Sequence, residues 1–106
     1  MNYVSDEVLR GYLKNNCFGR QKSVKSPVLE RVLGLRESEL RKLVNRLRKK
    51  AVPIGSGPEG YFYAAHAGEI YGTIRHLKEM QNGLQEAIQG LETALEQFGE
   101  GGEQDR

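Results

Sequence analysis

The sequence predicts a mainly α protein with one small β-hairpin, ending in a long helix of coiled-coil type. Three observations carry that expectation. Apolar residues recur at helical spacing in three short segments between residues 5 and 50. A glycine-rich turn, Gly55-Ser56-Gly57-Pro58-Glu59-Gly60, separates two short extended pieces. From residue 68 onward the apolar residues keep a seven-residue period.

The first helix opens at Ser5, an N-cap residue, with Asp6 and Glu7 in its first turn, where acids complement the helix dipole. Val8, Leu9, Tyr12 and Leu13 supply its apolar face, and Asn15-Asn16 ends it. Residues 17–25 read as a polar, basic loop. Ser26-Pro27 starts a second helix, with Pro at the first helical position. Its apolar face is Val28, Leu29, Val32 and Leu33, and Gly34 stops it. A third helix follows Leu35 and opens on Arg36-Glu37-Ser38-Glu39. Leu40, Leu43, Val44 and Leu47 form its buried stripe. Its other face carries Arg41, Lys42, Asn45, Arg46, Arg48 and Lys49.

Val52-Pro53-Ile54 breaks the helical pattern, and Tyr61-Phe62-Tyr63 is a strand by composition. Its tyrosines could stack on the bases of a single strand. Alternation around Phe62 favours the plainer reading, in which one face of the strand packs in the core.

Residues 68–98 form the long helix. Ile74, Gln81, Ile88 and Leu95 occupy heptad position a, and Ile70, Leu77, Leu84, Leu91 and Phe98 occupy position d. A seam of nine positions is too long for a helix that merely folds back on a small domain. The dimerisation residues are therefore Ile70, Ile74, Leu77, Gln81, Leu84, Ile88, Leu91 and Leu95. Ile at a with Leu at d favours two parallel strands, and Gln81 would fix the register at some cost in stability. An antiparallel pair, a larger bundle or a different partner protein are the alternatives to a parallel homodimer. The expected organisation is a domain of three helices and a hairpin over residues 1–66, a dimerisation helix over 67–98 and a disordered acidic tail over 99–106.

Composition narrows the function classes. A chain of 106 residues suits one domain of ordinary size. No apolar run is long enough to span a bilayer, and the N-terminus lacks a basic stretch leading into an apolar one. The single cysteine, Cys17, suits a reducing compartment, and the cytoplasm is the expected location. Cys17 reads as a small buried apolar residue, and His66 and His76 as isolated surface residues. There is no phosphate loop, paired metal-ligand motif or triad, so no enzyme activity, metal, cofactor or small-molecule ligand is expected.

The net charge of +2 hides a strong asymmetry. Residues 20–50 hold eleven Lys or Arg against three Glu, a local charge of +8, and the rest of the chain carries −6. The basic stretch is the candidate polyanion surface. It sits in an order of elements that matches a winged helix-turn-helix: helix, short helix, Gly-containing turn, basic helix, hairpin. In such a unit the second helix of the pair lies in the major groove of double-stranded DNA. The base-reading candidates are Arg36, Glu37, Ser38, Arg41, Lys42 and Asn45. Arg suits guanine, Asn suits adenine and Glu suits cytosine. Arg46 and Lys49 are placed for phosphates. Arg20, Lys22 and Lys25 in the basic loop offer a second set of phosphate contacts. The hairpin tip carries no Lys or Arg, which leaves Ser56 as its candidate contact.

The run from Leu35 to Arg48, followed by Val52-Pro53-Ile54-Gly55-Ser56 and Gly60-Tyr61-Phe62-Tyr63, resembles the winged-helix module of the biotin-repressor type. The whole chain is similar to small winged-helix proteins of phages and prophages of Gram-positive bacteria, which also carry a helical C-terminal extension. That resemblance covers roughly residues 5–98 and is most specific over 35–63. It implies a winged-helix fold and DNA binding without catalysis. The hairpin tip, which has no Lys or Arg, departs from the pattern, and no ligand or enzyme domain follows, so no biotin chemistry carries over.

The leading functional expectation is sequence-specific DNA binding by a homodimer that regulates transcription. One alternative is a replication or genome-maintenance accessory that recruits a partner through the long helix. Another is a protein-interaction module that does not bind DNA.

Overall fold

A computed structural model describes residues 5–99. The chain is mostly helical, with a small two-stranded antiparallel hairpin and a long C-terminal helix. It divides into two compact units between Ile74 and Arg75. The division falls inside the long helix rather than before it at residue 66, so the opening turns of that helix belong with the first unit. Apart from Gly99, the expected tail at 99–106 lies outside the described residues.

Helix α1 spans Asp6–Asn16. The Ser5 hydroxyl accepts the Val8 N–H at 3.3 Å, which satisfies one of the donors that every helix start leaves open. Helix α2 spans Ser26–Leu33. Its cap is Lys25, so Ser26 and Pro27 both lie inside the first turn. Gly34 ends α2 in the left-handed conformation, with φ of 69°. Helix α3 follows at Glu37–Lys49. There the Glu39 carboxylate accepts the N–H of the cap residue Arg36 at 2.9 Å. This is half of a capping box, because an Arg side chain has nothing to accept with.

Leu9, Leu13 and Cys17, Leu29 of α2, Leu40, Leu43, Val44 and Leu47 of α3, and Ile54 form one buried cluster. The stripe expected on α3 is the centre of this core. The apolar face expected on α2 is narrower: Leu29 is buried and Leu33 half-buried, while Val28 and Val32 are exposed. An eight-residue helix between two others can turn only about one side chain per turn fully inward.

Strand β1 is Ile54–Gly57 and β2 is Gly60–Tyr63, in antiparallel register with Ile54 opposite Tyr63 and Gly57 opposite Gly60. Most of the expected glycine-rich turn is therefore strand, and only Pro58 and Glu59 connect the two. The glycines serve close approach instead. A Cβ on Gly55 would run into the Phe62 ring, and one on Gly60, whose φ is +117°, into the Val24 carbonyl. Tyr61 and Tyr63 pack against the core, while Phe62 is buried over Gly55 on the opposite face.

Residues 17–25 are more ordered than a loop. Val24 and Tyr61 exchange both backbone hydrogen bonds at 2.9 Å, Tyr63 N–H donates to Cys17 O and Gly19 N–H to Tyr63 O, both at 2.8 Å. Strand β2 is thus hydrogen-bonded along both edges. One turn of 3-10 helix, Arg20–Lys22, bulges between these bridges.

Helix α4 spans Ala67–Leu95 and ends in a 3-10 turn, Glu96–Phe98. Up to Ile74 it is tied into the first unit. The buried Thr73 hydroxyl accepts the Ser56 N–H at 3.1 Å. The Glu69 carboxylate accepts the N–H groups of Ala65 at 2.8 Å and Arg20 at 2.9 Å. No helix is long and apolar enough to cross a membrane among the described residues.

Candidate nucleic-acid interface

Burying Leu40, Leu43, Val44 and Leu47 turns most of the remaining side chains of α3 outward. Arg36, Glu37, Ser38, Arg41, Lys42, Asn45, Arg46 and Lys49 are all exposed, so every α3 residue proposed from the sequence lies at the surface. They are not equally available. Arg41 is paired with Glu37 at 3.1 Å, and Arg36 with Glu39 at 3.6 Å. Lys42 and Lys49 make no ion pair among the described residues. Asn45 sits one turn beyond Arg41 on the same side, with its amide exposed.

Asp6, at the start of α1, is the carboxylate that the sequence reading missed. It accepts from Arg46 Nε at 3.0 Å and from Lys50 Nζ at 3.0 Å. The Lys50 ammonium first, and the Arg46 guanidinium with it, hold the Asp6 carboxyl below its ordinary range against the opposing effect of desolvation. Arg46 is therefore a cation already aimed and partly neutralised. A phosphate at this place would compete with Asp6 for it. Nothing in the sequence near Arg46 signals this partner, which lies forty residues away.

Arg48 does not belong to the open face. It is half-buried, donates from Nε to the Ile54 carbonyl at 2.9 Å and from Nη2 to the Ser56 hydroxyl at 3.0 Å. Burial lowers its pKa from the ordinary value, with the Tyr61 phenol acting in the opposite sense. Arg48 is a strut that pins the first hairpin strand to α3. Its place four residues after Val44 was the available signal, since it extends the buried stripe. Ser56, the candidate hairpin contact, is the other end of that strut: half-buried, with its hydroxyl held by Arg48 and its N–H by Thr73.

The hairpin tip has no cation of its own, but residues 20–25 bring two to it. Lys25 Nζ reaches the Pro58 carbonyl at 3.4 Å, and the Arg20 guanidinium lies beside Gly57. Lys22 is exposed in the 3-10 turn between them. The turn is anchored by Glu69, whose carboxyl is held below its ordinary range by the Ala65 N–H and then by the Arg20 N–H. The arrangement offers two cationic groups, one on α3 and one along the hairpin. Beside the second, Phe18 stacks on Tyr63 with ring centroids 6.1 Å apart, and Lys14 lies over the Tyr63 ring. Tyr61 and Tyr63 are half-buried and pack against the core.

The remaining candidate residues are those of the seam. Ile70 is half-buried within the first unit. Ile74, Leu77, Gln81, Leu84, Ile88, Leu91 and Leu95 are exposed, Leu84 and Leu91 at 67% and 70%. In the second unit Ile88, Leu91, Ala94, Leu95 and Phe98 line a shallow apolar groove.

No group of three or more His, Cys, Asp or Glu side chains is placed to hold a metal ion among the described residues. Burial pushes the Cys17 thiol up from its ordinary pKa, away from the reactive thiolate. Compared with family profiles, curated proteins and solved structures, the chain matches none.

Proposed function

We propose that this chain binds double-stranded DNA as a homodimer and acts as a transcriptional regulator, with the first unit working as a winged helix-turn-helix. In this reading α2, the Gly34 turn and α3 are the helix-turn-helix, and the β1–β2 hairpin is the wing. The observation that carries it is the division of α3 into a wholly buried apolar stripe and an exposed face rich in Arg, Lys and Asn. Arg41, Lys42 and Asn45 read base edges, while Arg46 and Lys49 hold phosphates. Arg20, Lys22 and Lys25 contact the backbone beside the wing, so the tip, which has no Lys or Arg, borrows its cations from the preceding segment. The resemblance to phage winged-helix proteins supports the same reading.

The test is fluorescence anisotropy of a labelled duplex at several salt concentrations, followed by site selection from a random pool. Binding should weaken steeply with salt, in proportion to the number of phosphates contacted. Arg41→Glu/Asn45→Ala should weaken binding about ten-fold or more. Absence of binding at low salt would sink the proposal.

The exposed seam of α4 favours one second reading, an accessory that brings a different protein to DNA. A monomeric chain that still binds DNA would point to it.

A further inference from the structure

We propose that α4 pairs with a second copy of this chain in the antiparallel sense, about an axis at Glu86, with Lys78 of each copy beside the partner's Glu92. The inference rests on the homodimer reading and adds orientation, register and the residues that select them.

Charge along the second unit points to it. Its first turns hold Arg75 and Lys78 against one acid, Glu79, and from Glu86 to Phe98 there are three Glu and no Lys or Arg. A parallel pair sets Glu92 and Glu96 level with their own copies. An antiparallel pair lays the acidic half of each helix along the basic half of the other. The flanking positions sharpen the choice. Position e holds Tyr71, Lys78, Gln85 and Glu92, and position g holds Thr73, Met80, Ala87 and Ala94. In a parallel pair, e faces the partner's g. That would set Lys78 beside Thr73 and Glu92 beside Ala87, with no ion pair at all. In an antiparallel pair, e faces e and g faces g. Centring on Glu86 then matches Lys78 with the partner's Glu92 twice over, and Gln85 with itself.

The same register fits the apolar side chains. Heights along two opposed helices add to a constant, so a positions meet d positions. Ile74 packs on the partner's Phe98, Leu77 on Leu95, Gln81 on Leu91 and Leu84 on Ile88, and every seam residue from Ile74 to Phe98 is used. On the g side the bulky Met80 meets the partner's small Ala94, and Ala87 meets its own copy one residue beyond the axis. The groove between Leu91, Ala94, Leu95 and Phe98 is the hole that the partner's Leu77 enters. Ile at a with Leu at d favours parallel strands, and Gln81 would there face its own copy. A core of Ile and Leu packs in either sense, however, while only one sense sets cation against carboxylate, and such flanking pairs set orientation.

The experiment begins with the mass of the full chain by sedimentation, which should be that of a dimer. Gln81→Cys and Leu91→Cys chains are then oxidised separately and mixed, with the wild type, whose Cys17 is buried, as the control. The mixture should form a disulfide-linked pair that neither variant forms alone. Glu92→Lys should weaken dimerisation roughly ten-fold, and Lys78→Glu/Glu92→Lys should restore it. A dimer in which Gln81→Cys links to itself overturns the orientation and leaves the homodimer standing. A monomeric mass, or one larger than a dimer, overturns both.

Discussion

The two units of this chain use the same apolar periodicity to opposite ends. In the first, Leu40, Leu43, Val44 and Leu47 recur at helical spacing and are all buried, because α1, α2 and the hairpin supply the surfaces they need. In the second, Leu77, Leu84, Ile88, Leu91 and Leu95 recur as regularly and are all exposed. Periodicity says that a helix has an apolar face. It does not say who covers it. That depends on whether the chain supplies an opposing element, and after Ile74 the described residues hold only the helix and its terminal turn.

The largest expected effects separate the two units directly. Leu40→Ala should cost about 2–5 kcal/mol, from lost burial plus the cavity left behind. Urea denaturation should show the loss at any protein concentration. Leu84→Ala should leave that transition of the first unit in place and, on the homodimer proposal, lower the dimer's stability instead, so its effect on α4 helicity should depend on concentration. If Leu84→Ala destabilised the first unit as much as Leu40→Ala does, the contrast between the units would be wrong.

Gly60→Ala comes next, at about 2–3 kcal/mol by the same assay. It combines a positive φ with a collision at the Val24 carbonyl, so it tests whether β2 needs its second edge. Thr73→Val is smaller, at about 1–2 kcal/mol, because it keeps the shape but leaves the Ser56 N–H without its acceptor. A loss there would sharpen the placing of the first turns of α4 with the first unit.

The smallest effect is at Asp6. Its carboxyl titrates lower in the folded protein than in the unfolded chain, so its contribution is present above the ordinary pKa near 3.8 and fades as pH falls below it. Wild-type stability should drop more than that of Asp6→Asn over that acid range, as followed by thermal melting against pH. Asp6→Asn should also release Arg46 and Lys50, and on the DNA-binding proposal it should strengthen duplex binding at pH 7 and steepen its salt dependence.

These cases show why some of the molecule was legible in the sequence and some was not. Local signals served well. The Ser5 cap, the Gly34 stop, the stripe on α3 and the hairpin each depend on neighbours within a few residues, and each stands where it was expected, the hairpin with longer strands and a shorter turn. What was missed is non-local. Asp6 meets Arg46, Glu69 meets the Arg20 N–H, and residues 17–24 pair with β2, all across long stretches of chain that no local pattern encodes. Arg48 was misplaced for a different reason. A guanidinium can lie on a buried stripe when carbonyl and hydroxyl acceptors meet it there, so its charge argued for exposure while its position argued for burial.

Cys17 turns the first unit into its own reporter. The residue is 3% exposed, and its carbonyl holds the Tyr63 N–H where α1 gives way to the segment along β2. A soluble thiol reagent can reach it only when those elements part. The unmodified chain therefore carries a built-in clock for opening, in which the rate of labelling under native conditions measures how often the core breathes and how much free energy each opening takes.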